Sequence, residues 1–221
     1  GKFGAVGTDE PWPEEARRYF INIVGKYGTQ VQAVLKKAAG LDIQMLLPLH
    51  GFVWRQDLGY ILGKYDLWSR YEPEQRGVVI AYASVYGGTE NAANILACRL
   101  REQGVQVEMF DTSVTPASYI LAAAFRFSHV VLAAPTYNGG VFVTMENLLH
   151  DLTAHGLKGR RAAYIENGSW APTSARGMQK LLEPLNWETA ADTVTLRSAL
   201  RQGQQEDLER MAMQLAESVK A

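Results

Sequence analysis

The sequence predicts an α/β protein built on a doubly wound parallel sheet. Three observations lead there. From Gly77 onward, apolar runs and amphipathic helical stretches alternate with a period of roughly 25 to 30 residues, as successive βα units do. The apolar runs are continuous and not alternating, which suits strands covered on both faces. The loops after three of them are rich in Gly, Asn, Ser and Thr, at the edge where open α/β sheets bind ligands.

Five runs qualify as strands: Val78 to Ala83, Val105 to Phe110, Val130 to Ala134, Ala162 to Ile165 and Thr193 to Leu196. The helices between them keep a 3.6-residue period. Ala93, Leu96, Ala97 and Leu100 fall at i, i+3, i+4 and i+7 with Gly104 as a C-terminal stop; Met145, Leu148, Leu149 and Leu152 repeat the spacing before Gly156. Leu208, Met211, Ala212, Leu215 and Val219 form a last stripe, and all three stripes are expected to be core. Thr115 followed by Pro116 reads as an N-cap with Pro at the first helical position.

The first 71 residues read differently. Helices are expected from Pro13 to Gly25, Thr29 to Ala39 and Asp57 to Tyr71, with one short strand at Ile43 to Leu47. Glu72-Pro-Glu-Gln-Arg-Gly77 is polar and contains Pro and Gly, so a linker is expected there. One strand and three helices cannot cover their own apolar faces, and the opening Gly1 to Gly7 shows no capping logic and no initiating Met. A fragment of a longer protein is therefore expected.

Composition narrows the function classes. The 221 residues are 47% hydrophobic and 20% charged, enough for a filled core. With 22 Lys plus Arg against 23 Asp plus Glu, the net charge of −1 gives no electrostatic case for nucleic acid or an anionic membrane. The single Cys98 excludes an intrachain disulfide; its place in the helical pattern predicts a small core residue. No apolar run approaches the roughly 20 residues of a spanning helix, so a soluble, cytoplasmic protein is expected.

Chemistry is sought in three loops at the carboxyl ends of the strands: Ser84-Val-Tyr-Gly-Gly-Thr-Glu-Asn91, Pro135-Thr-Tyr-Asn-Gly-Gly140 and Glu166-Asn-Gly-Ser-Trp-Ala-Pro172. A Gly pair at such a corner can be turn punctuation alone. The first loop can also present backbone N–H groups and the hydroxyls of Ser84 and Thr89 to a phosphate at a helix N-terminus. It lacks both the G-x-x-x-x-G-K-[ST] and the G-x-G-x-x-G patterns, which disfavours a nucleoside triphosphate and a dinucleotide. Tyr137 and Trp170 stand beside small residues in the other two loops. Together they could cover the faces of a flat ring whose edge meets backbone amides, as flavin mononucleotide (FMN) requires.

With these motifs in hand, Gly77 to Ala221 resembles a flavodoxin-like domain, and the three loops look like the flavin loops of the flavodiiron proteins, or A-type flavoproteins. The resemblance implies a five-stranded flavodoxin-like sheet of order 2-1-3-4-5 over residues 77–221. It implies that residues 1–71 are the C-terminal portion of a metallo-β-lactamase-like domain with its linking helix. Ser84, Val85, Tyr86, Gly87, Gly88 and Thr89 are then the phosphate side of an FMN site. Pro135, Thr136, Tyr137, Asn138, Gly139, Gly140, Asn167, Gly168, Ser169 and Trp170 surround the isoalloxazine. One departure is Gly88, where the family commonly has Asn or Ser; a side-chain contact is lost while the N–H is kept.

The same resemblance places His50, in Pro48-Leu-His-Gly51, at the position of the last iron ligand that precedes the linking helix. Without the family a lone His there reads as structural. The stretch to Tyr71 has no second His, so a complete diiron centre is not expected from this chain alone. His129, His150 and His155 are read as structural. The implied activity is the FMN-binding electron-transfer part of an oxygen or nitric oxide reductase. The resemblance also implies a donor such as rubredoxin and a head-to-tail homodimer. Two rivals are a stand-alone FMN-dependent NAD(P)H or quinone oxidoreductase, and a flavin-free receiver-type domain. The latter calls for an acidic cluster by the first strand that Tyr82-Ala-Ser84 does not supply.

Overall fold

In the computed structural model, which describes residues 12–221, the continuous apolar runs become the buried strands of one sheet. Its strands are β1 Gln75–Tyr82, β2 Val107–Asp111, β3 Phe127–Tyr137, β4 Gly140–Val141, β5 Arg161–Asn167, β6 Glu188–Thr189 and β7 Val194–Leu196. Strand β1 lies between β2 and β3, both parallel to it, with Val78 opposite Val107 on one side and His129 on the other. Strand β5 continues the parallel sheet beyond β3, from His129 against Arg161 to Pro135 against Asn167.

The far edge differs from the expected five-stranded order 2-1-3-4-5. The sheet has seven strands, on the path β2-β1-β3-β5-β6, with β4 paired to β3 and β7 paired to β5. The single edge strand expected at Thr193 to Leu196 is only one of two short segments, because the chain turns away from β5 between Thr189 and Val194. Gln214 holds that break: its side-chain oxygen accepts the Asp192 N–H at 3.0 Å, and its amide donates to the Asp192 carboxylate at 2.9 Å.

Eight α-helices complete the described residues: α1 Trp12–Tyr19, α2 Gly28–Ala38, α3 Leu58–Ser69, α4 Gly88–Glu102, α5 Ala117–Arg126, α6 Val143–His155, α7 Ser174–Leu182 and α8 Gln202–Lys220. Helices α4 and α8 cover one face of the sheet, where Leu96 and Leu100 meet Leu208, Met211 and Leu215 over Val78, Ile80 and Val131. The expected core stripes are thus buried. Cys98 is corrected: it is exposed, since it falls one position past the inward-facing Ala97. Helix α5 begins at Ala117 with Pro116 as the N-cap, one residue later than the sequence suggested. None of the described helices is long and apolar enough to cross a membrane.

The other face of the sheet is covered by α5, α6 and α7, and by residues that precede β1. Helix α1 runs on into a π-helical turn at Phe20–Val24 and a 3-10 turn at Gly25–Tyr27, not the single α-helix expected to Gly25. Phe20 and Ile21, with Trp68 of α3, are fully buried in one core with Leu121, Phe125, Leu132 and Leu148. The strand expected at Ile43 to Leu47 does not form. A single antiparallel bridge joins Leu46 to Trp54, since a lone strand without a partner leaves its N–H and C=O groups to solvent. The expected features of Gly1 to Gly7 lie outside the described residues.

Two buried charged groups tie the early helices to the sheet, and one corrects the reading of residues 72–77 as a linker. The Glu74 side chain is only 8% exposed and accepts bonds from Arg17 Nε at 2.5 Å, Lys64 Nζ at 2.6 Å and Trp68 Nε1 at 2.6 Å. Burial pushes its carboxyl up, but the bonds donated by Arg17, Lys64 and Trp68 outweigh this and hold it at about 2. Among the described residues Arg160 has no carboxylate partner. Its guanidinium donates to the carbonyls of Ala124 at 2.8 Å, Phe125 at 2.6 Å and Tyr71 at 2.6 Å, and also to Lys158 and Gly159. It therefore satisfies the last carbonyls of α5 and the chain leaving α3, and burial lowers its pKa to about 9.

Candidate functional site

At the carboxyl ends of β1, β3 and β5 the chain forms a cleft of about 430 Å³. Its walls are Ser84, Val85, Tyr86, Gly88 and Thr89 from the first loop, Pro135, Thr136 and Tyr137 from the second, and Asn167, Gly168 and Ser169 from the third. All three loops singled out in the sequence therefore converge. The cleft walls do not include Gly87, Asn138, Gly139, Gly140 or Trp170. They do include Ser198 and Ala199, which follow β7.

The first loop is built to expose a helix N-terminus. Gly87 takes the left-handed conformation, with φ of 82°, and caps α4. Ser84 Oγ accepts the N–H groups of Gly87 at 3.1 Å and Glu90 at 3.3 Å, and Asn91 N–H bonds to the Gly87 carbonyl at 2.8 Å. The amides of Gly88 and Thr89, also in the first turn, have no partner among the described residues and stand at the positive end of the helix dipole. Ser84 thus organises the loop and keeps its own proton to donate. Tyr82, just before the loop, has its hydroxyl pKa raised by burial and by the charges of Glu90 and Asp111.

The second loop is a two-residue hairpin. Thr136 pairs with Val141 and Tyr137 with Gly140, and Asn138 and Gly139 both have positive φ, 49° and 76°. This is what a type I′ turn requires, and Asn-Gly is its strongest sequence signal; the sequence reading used these residues only as a ring-edge loop. Thr136 Oγ1 is committed to the start of α7, accepting Thr173 N–H at 2.8 Å and Ser174 N–H at 3.1 Å. Tyr137 packs edge-on against Phe142, ring centroids 5.5 Å apart.

In the third loop Asn167 is nine-tenths buried and does not present its amide to the cleft. Its Nδ2 donates to the Ser198 carbonyl at 2.9 Å and to Thr89 Oγ1 at 3.3 Å, while its Oδ1 accepts the Ser198 N–H at 2.8 Å. Ser198 is held at φ of 67°, and its carbonyl lies 2.5 Å from where a Cβ on Gly88 would stand. The glycine at position 88 is thus dictated by the neighbouring loop. Ser169 Oγ lies 3.0 Å from Ser198 Oγ. Sequence reading missed Ser198 and Ala199 because no motif marks them; their place after the last strand, at the ligand-binding sheet edge, was the available signal.

Apolar surface is exposed on the cleft wall. Tyr86 is 98% exposed, with Val85 and Tyr137 about half exposed, and Trp170, which follows the wall residue Ser169, is 93% exposed. Single exposed apolar residues are ordinary, but three on the wall of one cleft make a surface suited to an apolar group. A cleft of about 430 Å³ with backbone donors at one end and this apolar rim suits a flat ring that carries an anionic tail.

His50 is elsewhere, exposed on a separate groove with its ring 5.4 Å from that of Tyr19. Among the described residues no group of three or more His, Cys, Asp or Glu could hold a metal ion, so residues 12–221 by themselves do not fit a diiron centre. His129 is a buried, satisfied side chain between Ser128 Oγ at 2.8 Å and Ser218 Oγ at 2.9 Å.

The sheet, its two helical layers and the loop cluster define a flavodoxin-like α/β fold. No family model matches the chain. A nitric oxide reductase of Moorella thermoacetica is 28% identical over 172 residues, covering 77% of this chain and 42% of that protein. The rubredoxin oxygen:oxidoreductase structure of Desulfovibrio gigas superposes with a TM-score of 0.88 at 22% identity, over 94% of this chain and 53% of that one. The flavodiiron protein of Giardia intestinalis gives 0.87 at 21% identity, over 97% and 56%. A flavodoxin of Streptococcus pneumoniae gives 0.57 at 23% identity, covering 64% of this chain and 98% of its own. The solved structures it resembles include flavodiiron proteins, its curated relatives include nitric oxide reductases and a rubredoxin-oxygen oxidoreductase, and the chain spans between 31% and 52% of the length of these curated relatives.

Proposed function

We propose that this chain binds FMN in the cleft and serves as the electron-transfer part of a flavodiiron-type oxygen or nitric oxide reductase. The observation that carries the reading is the convergence of three separate loops on one cleft, with the Gly88 and Thr89 amides, which have no partner among the described residues, at one end and the exposed Tyr86 and Tyr137 on its wall. FMN, when bound, supplies one- and two-electron transfer. The chain's own contribution is binding and orientation. The α4 N-terminus and Ser84 hydroxyl receive the phosphate, Pro135 to Gly140 and Gly168 to Trp170 border the ring, and Tyr137 and Trp170 shield it from water.

In this reading residues 77–221 are the flavin domain and residues 1–71 are the tail of a metallo-β-lactamase-like domain. His50 is one iron ligand of a diiron centre completed by other parts of the intact protein. The relatives' names, nitric oxide reductase and rubredoxin oxygen:oxidoreductase, support nitric oxide or dioxygen as substrate and rubredoxin as donor. A cytoplasmic homodimer completes the proposal. The test is a titration of the purified chain with FMN, followed by flavin fluorescence. Saturable quenching at one flavin per chain is expected, and free-flavin emission at every ratio speaks against it. Fast bleaching of the bound flavin by NADH would favour the stand-alone oxidoreductase instead.

A further inference from the structure

We propose that Ser198 is a phosphate-positioning residue, its hydroxyl set over the α4 N-terminus by Asn167 and shared with Ser169. The inference rests on the FMN reading and adds a fourth loop, residues 197–200, to the three already described.

Three observations carry it. First, Asn167 bonds both to the N–H and to the C=O of Ser198, at 2.8 and 2.9 Å, and reaches Thr89 Oγ1 at 3.3 Å. A buried amide that grips both backbone groups of one exposed residue fixes its position relative to Thr89, at a backbone conformation (φ 67°) that a non-glycine residue adopts only when held. Second, the Ser198 carbonyl fills the space where a Gly88 side chain would project, so no side chain from position 88 can reach the corner. Third, Ser198 and Ala199 line the cleft beside Gly88 and Thr89, and Ser198 Oγ is 3.0 Å from Ser169 Oγ. In a hydroxyl pair one proton is used between the two oxygens and one remains to be donated outward. Ser198 lines the same cleft as Gly88 and Thr89 at the α4 N-terminus, so that proton is available to a phosphate monoester dianion held there. Asn167 acts through Ser198 and is a positioning residue, not a ring contact.

The experiment compares FMN with riboflavin, which lacks the phosphate, on the unaltered chain and on Ser198→Gly and Asn167→Ala. Glycine accepts the left-handed backbone, so Ser198→Gly deletes the hydroxyl without adding strain. Loss of one hydrogen bond to a charged group should weaken FMN binding about tenfold. Riboflavin binding should be unchanged, so the FMN-to-riboflavin preference falls by the same factor. Asn167→Ala should reduce that preference in the same direction. An unchanged preference in Ser198→Gly, or an equal loss for both ligands, overturns the phosphate role while leaving the FMN site standing. An unaltered chain that binds neither ligand overturns the FMN reading, and this inference with it.

Discussion

The carbonyl oxygen of Ser198 stands 2.5 Å from the position a Cβ would occupy on Gly88, inside any real contact distance. Gly88→Ser should therefore displace the 197–200 loop and distort the start of α4, with a stability loss of about 2 kcal/mol, in the range of overpacking. It should weaken FMN binding as well, although serine brings an extra hydroxyl. Urea unfolding and a flavin titration on the same variant check this. Tighter FMN binding in Gly88→Ser would mean that the loop yields freely and that the glycine is incidental.

Gly139 has no atom near the place of its missing Cβ, so its constraint is purely conformational, φ of 76° in the second position of the hairpin turn. Gly139→Val should cost about 1–2 kcal/mol for a left-handed non-glycine residue. By loosening the β3–β4 hairpin, it should also lower flavin affinity. Gly139→Asn, which tolerates the conformation better, should lose less of both. Equal flavin affinity in all three proteins would separate the hairpin from the site.

The side chains of Glu74 and Arg17 are almost wholly covered and in contact at 2.5 Å. Glu74→Ala leaves Arg17 short of its main partner and Lys64 and Trp68 Nε1 without theirs, and should destabilise the fold by about 3 kcal/mol. The carboxyl is held at about 2 against an ordinary value of 4.5, so the stability it contributes is present above 4.5 and is lost as pH falls through 2. Chemical denaturation between about pH 5 and about pH 2 checks the sign. The unaltered chain should lose stability on acidification more steeply than the variant.

His129 gives a separate limb. Burial, with the charges of Arg161 and Arg76, lowers its pKa from 6.5 to about 4. The unfolded chain therefore takes up a proton before the folded one does, and stability falls as pH drops from 6.5 to 4. His129→Asn should flatten that part of the stability profile. A slope retained in the variant would assign it to other groups.

Much of the fold was legible because its strongest signals are local. The runs at Val78, Val130 and Ala162 have no alternation and become fully buried strands, and the stripes through Leu96, Leu148 and Leu208 become core. The elements misread were those decided by distant partners. Glu74 sits in a stretch with every mark of a solvated linker, and only the folded positions of Arg17, Lys64 and Trp68 make it a buried node. Ile43 to Leu47 has the pattern of a strand but, among the described residues, only the Leu46–Trp54 bridge beside it. The last edge strand is divided because Gln214, some twenty residues downstream by sequence count, holds the break at Asp192.

The site shows the same division. Gly-rich loops at strand ends announced themselves, and their convergence follows from parallel strands that all deliver their carboxyl ends to one edge. The inward turn of Asn167 onto Ser198 did not, since nothing in Asn-Gly-Ser-Trp distinguishes a ring contact from a brace. The Asn138-Gly139 hairpin was readable from its dipeptide alone.

The most direct test of the central claim is a crystal structure of the chain reconstituted with riboflavin 5′-phosphate. The account predicts density for one flavin among the three loops, its phosphate on the Gly88 and Thr89 amides and its ring between Tyr137 and Trp170. Density for the flavin at any other place, or a vacant cleft after soaking in excess, would contradict it.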